Sequence, residues 1–271
     1  MAIITISREF GSNSKEIGRL LAEHLRYAYV DRNKIHEEIK TLGKKWQKLE
    51  EEFDEHNPTM WERYDWSFQG FVALSQSIIL NFGLRDRVII MGRGGNFLFK
   101  GIPHALRIRI SMPMEARIER VMAEDDLPRM SARWLVEKID KEMAGAVYSI
   151  YGQHWDDPSQ YDMFFDLAKK NDAEIIEKII RAVREKEKLN IEEARAMLRL
   201  RAIAAKVKAG IATNPYFLIP TFDVVTSAEG IILRGIIHSP SEHKEIEKQA
   251  KKLAGDVLIK SELHYRGLVS G

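Results

Sequence analysis

The chain has 271 residues, 45% hydrophobic and 30% charged, enough apolar material for one large or two modest domains. Lys plus Arg number 42 against 40 Asp plus Glu, so the net charge is +2 and nucleic acid is not the expected partner. Zero cysteines exclude disulfides, iron–sulfur clusters, thiolate zinc sites and cysteine nucleophiles.

No run of the sequence approaches the ~20 apolar residues that span a bilayer. Met1 to Ser7 is a short β-branched run ending in Arg8-Glu9, unlike a secretory signal, so no transmembrane segment and a cytoplasmic location are expected. Ile3 to Ile6 reads as a strand buried on both faces. Ser7 to Ser14 is then a polar loop, and Ile17, Leu20, Leu21 and Leu25 recur at helical spacing. A short strand at Tyr27 to Val30 and a helix from Arg32, carrying Ile35 and Ile39, follow. The acidic run Glu50 to His56 reads as a solvated helix face or loop, and Trp61 and Trp66 as packing residues.

The middle repeats this rhythm. Phe68 to Phe82 reads as an apolar helix, Arg87 to Met91 as a buried strand and Gly92-Arg93-Gly94-Gly95 as a turn. Leu106 to Ile110 is a strand, Met114 to Met122 a helix, and Ser131 begins a longer one. Tyr161 to Asp166 is a last strand before a helix from Asp172 to about Lys188. Strands alternating with helices imply right-handed βαβ units and a parallel sheet.

The composition then shifts. Glu185 to Lys208 is rich in Ala, Leu, Lys, Glu and Arg without Gly or Pro, which favours helix, with Gly210 as its end. Strands at Phe222 to Thr226 and Ile231 to Ile237, a helix at Ser241 to Leu253 and a strand at Val257 to His264 make a second, small unit. The expected division is 1–187 and 188–271. The expected class is α/β, a kinase-like parallel sheet flanked by helices, plus a small α+β domain.

Strand, glycine-containing loop and helix is the arrangement that binds phosphates, because free backbone N–H groups meet at the helix start. Gly11-Ser12-Asn13-Ser14-Lys15 matches the full phosphate-loop pattern poorly. Gly11 supplies an unrestricted backbone, Lys15 a cation, and Ser12 or Ser14 a hydroxyl for magnesium or for a helix cap. No Gly-x-Ser-x-Gly elbow and no zinc-like histidine spacing occurs, so neither a serine hydrolase nor a protein-held metal is expected.

The segment Ile4-Thr5-Ile6-Ser7-Arg8-Glu9-Phe10-Gly11-Ser12, with Glu16-Ile17-Gly18-Arg19-Leu20 after it, resembles the opening of the cytidylate kinase-like family. Val30-Asp31-Arg32, Gly92-Arg93-Gly94-Gly95-Asn96-Phe97, Glu115-Ala116-Arg117-Ile118-Glu119-Arg120 and Trp155-Asp156-Asp157-Pro158 continue the resemblance in order over residues 1 to about 185. It implies a P-loop nucleoside monophosphate kinase fold that moves a phosphoryl group from ATP, with Mg²⁺ carried by the nucleotide phosphates, to CMP or a related nucleotide.

The resemblance also implies roles. The loop Gly11 to Lys15 would hold the donor phosphates, and Arg93 the acceptor monophosphate. Arg117 or Arg120, three apart on one helix face, would reach the donor when a lid closes. Asp31 and Arg32 would contact base or ribose, with a helix cap by Asp31 as the alternative. Asp140 and Lys141 would belong to the lid, with a salt-bridged helix surface as the alternative. The chain departs from the family pattern at Asn13 and Ser14, at Met143 in the lid and at Asp166-Leu167 after the last strand. A catalytically degenerate kinase fold therefore stands beside the working kinase.

Residues 218 to 266 resemble a BON domain through Phe222-Asp223-Val224-Val225, Gly230 to Ile237 and Ser241 to Leu253, with a preceding helix completing an αββαβ unit. The resemblance implies binding of an unknown ligand or protein rather than catalysis.

Overall fold

The computed structural model of the chain describes residues 2–53, 57–59, 61–169, 171–189, 192–217, 219 and 221–265. Five strands form the larger sheet: β1 (Ile3–Arg8), β2 (Ala28–Val30), β3 (Val88–Met91), β4 (Ala105–Ser111) and β5 (Met163–Asp166), in the order β2-β3-β1-β4-β5. All pairings are parallel, and Ile3 of the central strand lies beside Val88 on one side and Ala105 on the other.

The helices around it are α1 (Ser14–Leu25), α2 (Arg32–Thr41), α3 (Lys44–Phe53), α4 (Trp66–Leu84), α5 (Gly95–Leu98), α6 (Met114–Asp125), α7 (Arg129–Tyr151), α8 (Asp172–Glu187) and α9 (Glu192–Ala212). The two-residue period of a strand sorts β1 between them. Ile4 and Ile6 pack with Ile17 and Leu21 of α1 and Ile175 and Ile179 of α8. Ile3 packs on the opposite face with Ile35, Ile79, Phe99 and Leu198. A strand covered on both faces needs no polar alternation, which explains the β-branched run Ile3-Ile4-Thr5-Ile6. Helices α6 and α7 close a smaller core of Ile118, Val121, Ala132 and Val136 beside the main one.

The second sheet has β6 (Asp223–Thr226) antiparallel to β7 (Gly230–Ile237), which runs parallel to β8 (Leu258–Tyr265). Between β7 and β8 lies α10 (Pro240–Ala254), with Pro at its start and the Ser239 hydroxyl accepting from the Glu242 N–H. Leu233, Ile237, Ile246 and Ala250 bury against Val207 and Ile211 of α9. The earlier residues Leu198 and Ala202 of that same helix are buried with α4 and the larger sheet. One helix thus contributes to both cores.

Several expectations are corrected. The stretch Glu185 to Lys208 is not one helix: α8 ends at Glu187 and α9 begins at Glu192, because their apolar stripes serve different layers. Gly210 does not end α9, which continues to Ala212. A Cβ at Gly210 would lie 2.4 Å from Leu253 Cδ1, so this glycine allows α9 and α10 to approach closely. Trp61 is 83% exposed rather than packed, whereas Trp66 meets Trp46 at 6.2 Å with Lys45 over its ring. Glu50 is not solvated: it sits in α3, 2% exposed, paired with His36. Glu51 and Glu52 of the same helix are exposed, as expected of a solvated face, and 54–56 lie outside the described residues. Among the described residues no helix is long and apolar enough to cross a membrane.

Candidate active site

The carboxyl ends of β1 and β3 open into a cleft of about 690 Å³. This is the edge where a doubly wound sheet binds its ligands, since the chain leaves the central strand toward one side and later crosses to the other. Six cationic side chains line it: Arg8 at the end of β1, Lys15 and Arg19 on α1, Arg32 on α2, Arg93 after β3 and Arg120 on α6. Glu16, Asp31, Glu124, Asp125 and Glu142 stand among them.

The first loop is compact. Gly11 takes φ +76°, and a Cβ there would come within 2.9 Å of Val121 Cγ2 on α6. The Ser12 hydroxyl donates to the Glu9 carbonyl at 2.8 Å and meets the Ser14 hydroxyl at 2.7 Å. The Asn13 amide donates to Asp172 at 2.8 Å, while its carbonyl oxygen is buried with no hydrogen-bond partner among the described residues. Neither serine caps α1: Asn13 occupies the cap position without a side-chain bond, and Ser14 is the first helical residue. The Glu16 and Ile17 N–H groups donate to the Asn13 carbonyl at 3.1 and 3.2 Å, which leaves the Ser14 and Lys15 N–H groups without an acceptor among the described residues. Lys15 is exposed and lines the cleft one residue further on.

Across the cleft, Arg93 takes φ +60° between Gly92 and Gly94, both also at positive φ. A non-glycine residue there costs about 1–3 kcal/mol, and such strain marks a residue whose side chain has a fixed aim. Burial, with Arg32 nearby, pulls its guanidinium down to about 10 against the opposing pull of Glu50, so it stays charged at neutral pH. The Tyr151 hydroxyl donates to the Arg93 carbonyl at 3.3 Å, and burial pushes that phenol up to about 12. A Cβ at Gly94 would sit 2.3 Å from the Tyr151 hydroxyl, which leaves glycine as the residue that fits. Behind Arg93 and Gly94 lies a second, largely apolar cavity of about 100 Å³ walled by α2, α3, α4 and α7.

The two arginines of α6 part company. Arg120 lines the cleft, 2.7 Å from Glu124 and 3.9 Å from Glu16. Arg117 is 5% exposed and does not line the cleft. It donates to Asp140 at 2.7 Å and to the Met112 and Phe10 carbonyls at 3.1 and 3.2 Å, with Glu9 3.7 Å away. Asp140 thereby ties α7 to α6 instead of facing the cleft, and Lys141 is exposed and likewise outside the lining, unlike its neighbours Ile139, Glu142 and Met143. Asp31 caps α2 by accepting from the Lys34 N–H at 3.2 Å and also lines the cleft.

Sequence reading missed Arg8, Arg19 and Glu50. Arg8 had a usable signal, a cation on the last residue of a central strand. Arg19 lies over the Tyr29 ring at 5.9 Å, a contact between α1 and β2. Glu50 gave no signal, because a run of acids looks solvated. Among the described residues no group of three His, Asp or Glu could hold a metal ion. A magnesium ion needs no such cluster, since it usually keeps several waters and binds through one or two carboxylates together with the phosphates of a substrate. Chemically, such a cleft can neutralise several phosphates and align two of them.

Residues 3–169 match the family described as cytidylate kinase-like, and residues 200–267 match the BON domain. No curated protein matches the chain. Among solved structures, an uncharacterized protein from Eubacterium ventriosum ATCC 27560 is 21% identical with TM-score 0.55, covering 68% of this chain and 98% of that one. A shikimate kinase from Bacteroides thetaiotaomicron is 14% identical with TM-score 0.41, covering 69% and 99%. A gluconokinase from Sinorhizobium meliloti 1021 is 14% identical with TM-score 0.39, covering 73% and 93%.

Proposed function

The chain belongs to the cytidylate kinase-like family, and on that premise we propose that its cleft transfers the γ-phosphoryl group of ATP to the phosphate of CMP or a related nucleoside monophosphate. The observation that carries this reading is Arg93, held in a left-handed backbone opposite the first loop with five further cations on the same cleft. A planar guanidinium pairs with two phosphate oxygens at once, which suits an acceptor monophosphate. Lys15 and the start of α1 face the donor phosphates, and Arg120 exchanges Glu124 for them as α6 and α7 close. Mg²⁺ bound to the donor neutralises charge on its phosphates. An acceptor phosphate oxygen bonds to the γ-phosphorus while the bond from that phosphorus to the β–γ bridging oxygen breaks, leaving ADP and a nucleoside diphosphate. Arg117 positions α6 through its clamp on Asp140, Phe10 and Met112. The C-terminal unit binds a separate ligand or protein.

One observation favours a second reading, a degenerate kinase fold that acts through the C-terminal unit. Two polar groups of the first loop are already engaged, the Asn13 amide N–H with Asp172 and the Ser12 hydroxyl with Glu9 and Ser14. Calorimetric titration with ATP·Mg²⁺ and with each nucleoside monophosphate separates the two. Saturable binding of both partners supports the transfer reading, and binding of neither supports the degenerate one.

A further inference from the structure

Arg93 sits at φ +60° between two glycines that also take positive φ, and such strain persists only where the surrounding structure holds it. The next residue, Gly94, opens α5, a helix of four residues. A helix so short is marginal on its own. The Phe97 and Leu98 N–H groups donate back to the Gly94 carbonyl at 2.9 and 3.1 Å, which ties the turn to α5. The aim of Arg93 is therefore as firm as the grip on α5.

Two side chains supply that grip. On one side the Phe97 ring stacks on Tyr151 at 4.8 Å, and the Tyr151 hydroxyl donates to the Arg93 carbonyl. On the other, Arg201 Nη1 donates to the Leu98 carbonyl at 2.7 Å and to the Lys100 carbonyl at 2.8 Å. Carbonyls at a helix C-terminus lack intrahelical donors and carry its partial negative charge, and a guanidinium answers both needs. Burial pulls the Arg201 guanidinium below its ordinary value, so these bonds form away from bulk water, where they are stronger.

Arg201 does not come from the unit it braces. It stands on α9, beyond the residues 3–169 matched to the kinase-like family and inside the residues 200–267 matched to the BON domain. Leu198 and Ala202, which flank it, bury in the first core, whereas Val207 and Ile211 bury in the second. We propose that Arg201 is a positioning residue for the phosphoryl transfer: by bracing the end of α5 from the C-terminal stretch, it holds Arg93 on the acceptor phosphate. The proposal rests on the reading of Arg93 as the acceptor-phosphate residue.

The test measures Kd and kcat/KM for CMP, Kd for ATP·Mg²⁺ and the melting temperature of the full chain. The variants are Arg201→Ala, Arg201→Lys, Arg195→Ala, Arg93→Ala and the double Arg93→Ala/Arg201→Ala. Arg201→Ala should weaken CMP by ~10-fold or more, up to the ~100-fold that a displacement of about 1 Å costs, with ATP·Mg²⁺ affinity little changed. Arg201→Lys should recover part of the loss, because an ammonium also donates to carbonyls. In the Arg93→Ala background, Arg201→Ala should cost no further kcat/KM for CMP, since no guanidinium is left to position; a merely structural brace would add its loss in full. Arg195→Ala breaks the pair between the same helix and Asp86, so melting should fall while CMP affinity holds.

Unchanged CMP affinity in Arg201→Ala, equal losses for CMP and ATP·Mg²⁺, additive losses in the double variant, or an Arg195→Ala protein that loses CMP as strongly overturns the proposal while Arg93 keeps its role. If Arg201→Ala does not fold, Arg201→Lys in both backgrounds decides by the same split. A wild type that binds no CMP, or CMP affinity unchanged in Arg93→Ala, overturns the reading of Arg93 itself, and this proposal with it.

Discussion

Replacing Arg117 by alanine distinguishes the two arginines of α6. The Arg117 guanidinium is almost fully buried, and the substitution strips the partner from Asp140 and leaves the Met112 and Phe10 carbonyls unmet. Asp140 Oδ1 is already buried without a partner among the described residues, so the remaining charge has little relief. Breaking a buried pair by removing one side costs about 3–5 kcal/mol. At about 2–4 °C per kcal/mol for a domain of this size, the melting temperature should fall by about 6–20 °C. Arg117→Lys should recover only part, since an ammonium cannot reach three acceptors in a fixed fork. Arg120→Ala should behave oppositely. Its pair with Glu124, more than half exposed, contributes less than about 1 kcal/mol, so stability holds while ATP affinity drops. Thermal and urea unfolding, with ATP·Mg²⁺ titration of each variant, reads both quantities. An Arg117→Ala protein as stable as the wild type, with ATP affinity selectively lost, would refute the clamp and place Arg117 in the donor site.

Lys15→Ala should lower ATP affinity or turnover at least ~10-fold, equivalent to ~1.4 kcal/mol, with melting unchanged; a silent variant favours the degenerate reading. A fragment of residues 1–187 should unfold more readily than one of residues 1–212, because Leu198 and Ala202 of α9 are buried on α4; equal urea midpoints would detach α9 from the first core. His104 is fully buried, and burial lowers its pKa against the pull of Asp86. The unfolded chain then takes up a proton that the folded chain resists, so stability should fall as pH drops below about 6.5. His104→Gln should flatten that limb of a urea-midpoint profile, and an identical pH profile would contradict the assignment.

How much was legible in the sequence depends on the range of the interaction. The order of strands and helices follows from local periodicity, and Ile3 to Ile6 announced a two-sided strand without any tertiary knowledge. The cleft's rim was legible where a residue sits at a strand end, as Arg93 does after β3. The cavity was not. Glu50 and His36 are 14 residues apart on different helices, and only packing of α2 on α3 turns an acid in a charged run into a buried carboxylate. Arg117 and Arg120 share a spacing that puts them near one face, yet Asp140 claims one and leaves the other at the cleft. Gly210 reads as a helix stop from composition alone, and the side chain that overrides this reading, Leu253, lies 43 residues further on.

The transfer reading is tested most directly by monophosphate-dependent release of ADP from ATP·Mg²⁺, measured side by side for the wild type and Arg93→Ala. The wild type should release ADP only when a nucleoside monophosphate, CMP foremost, is present. Arg93→Ala should lose acceptor affinity by about 2–5 kcal/mol, the scale for truncating one side of a desolvated charge pair, with ATP affinity little changed. ADP release that ignores every monophosphate, or acceptor affinity equal in the two proteins, would contradict the assignment of this cleft.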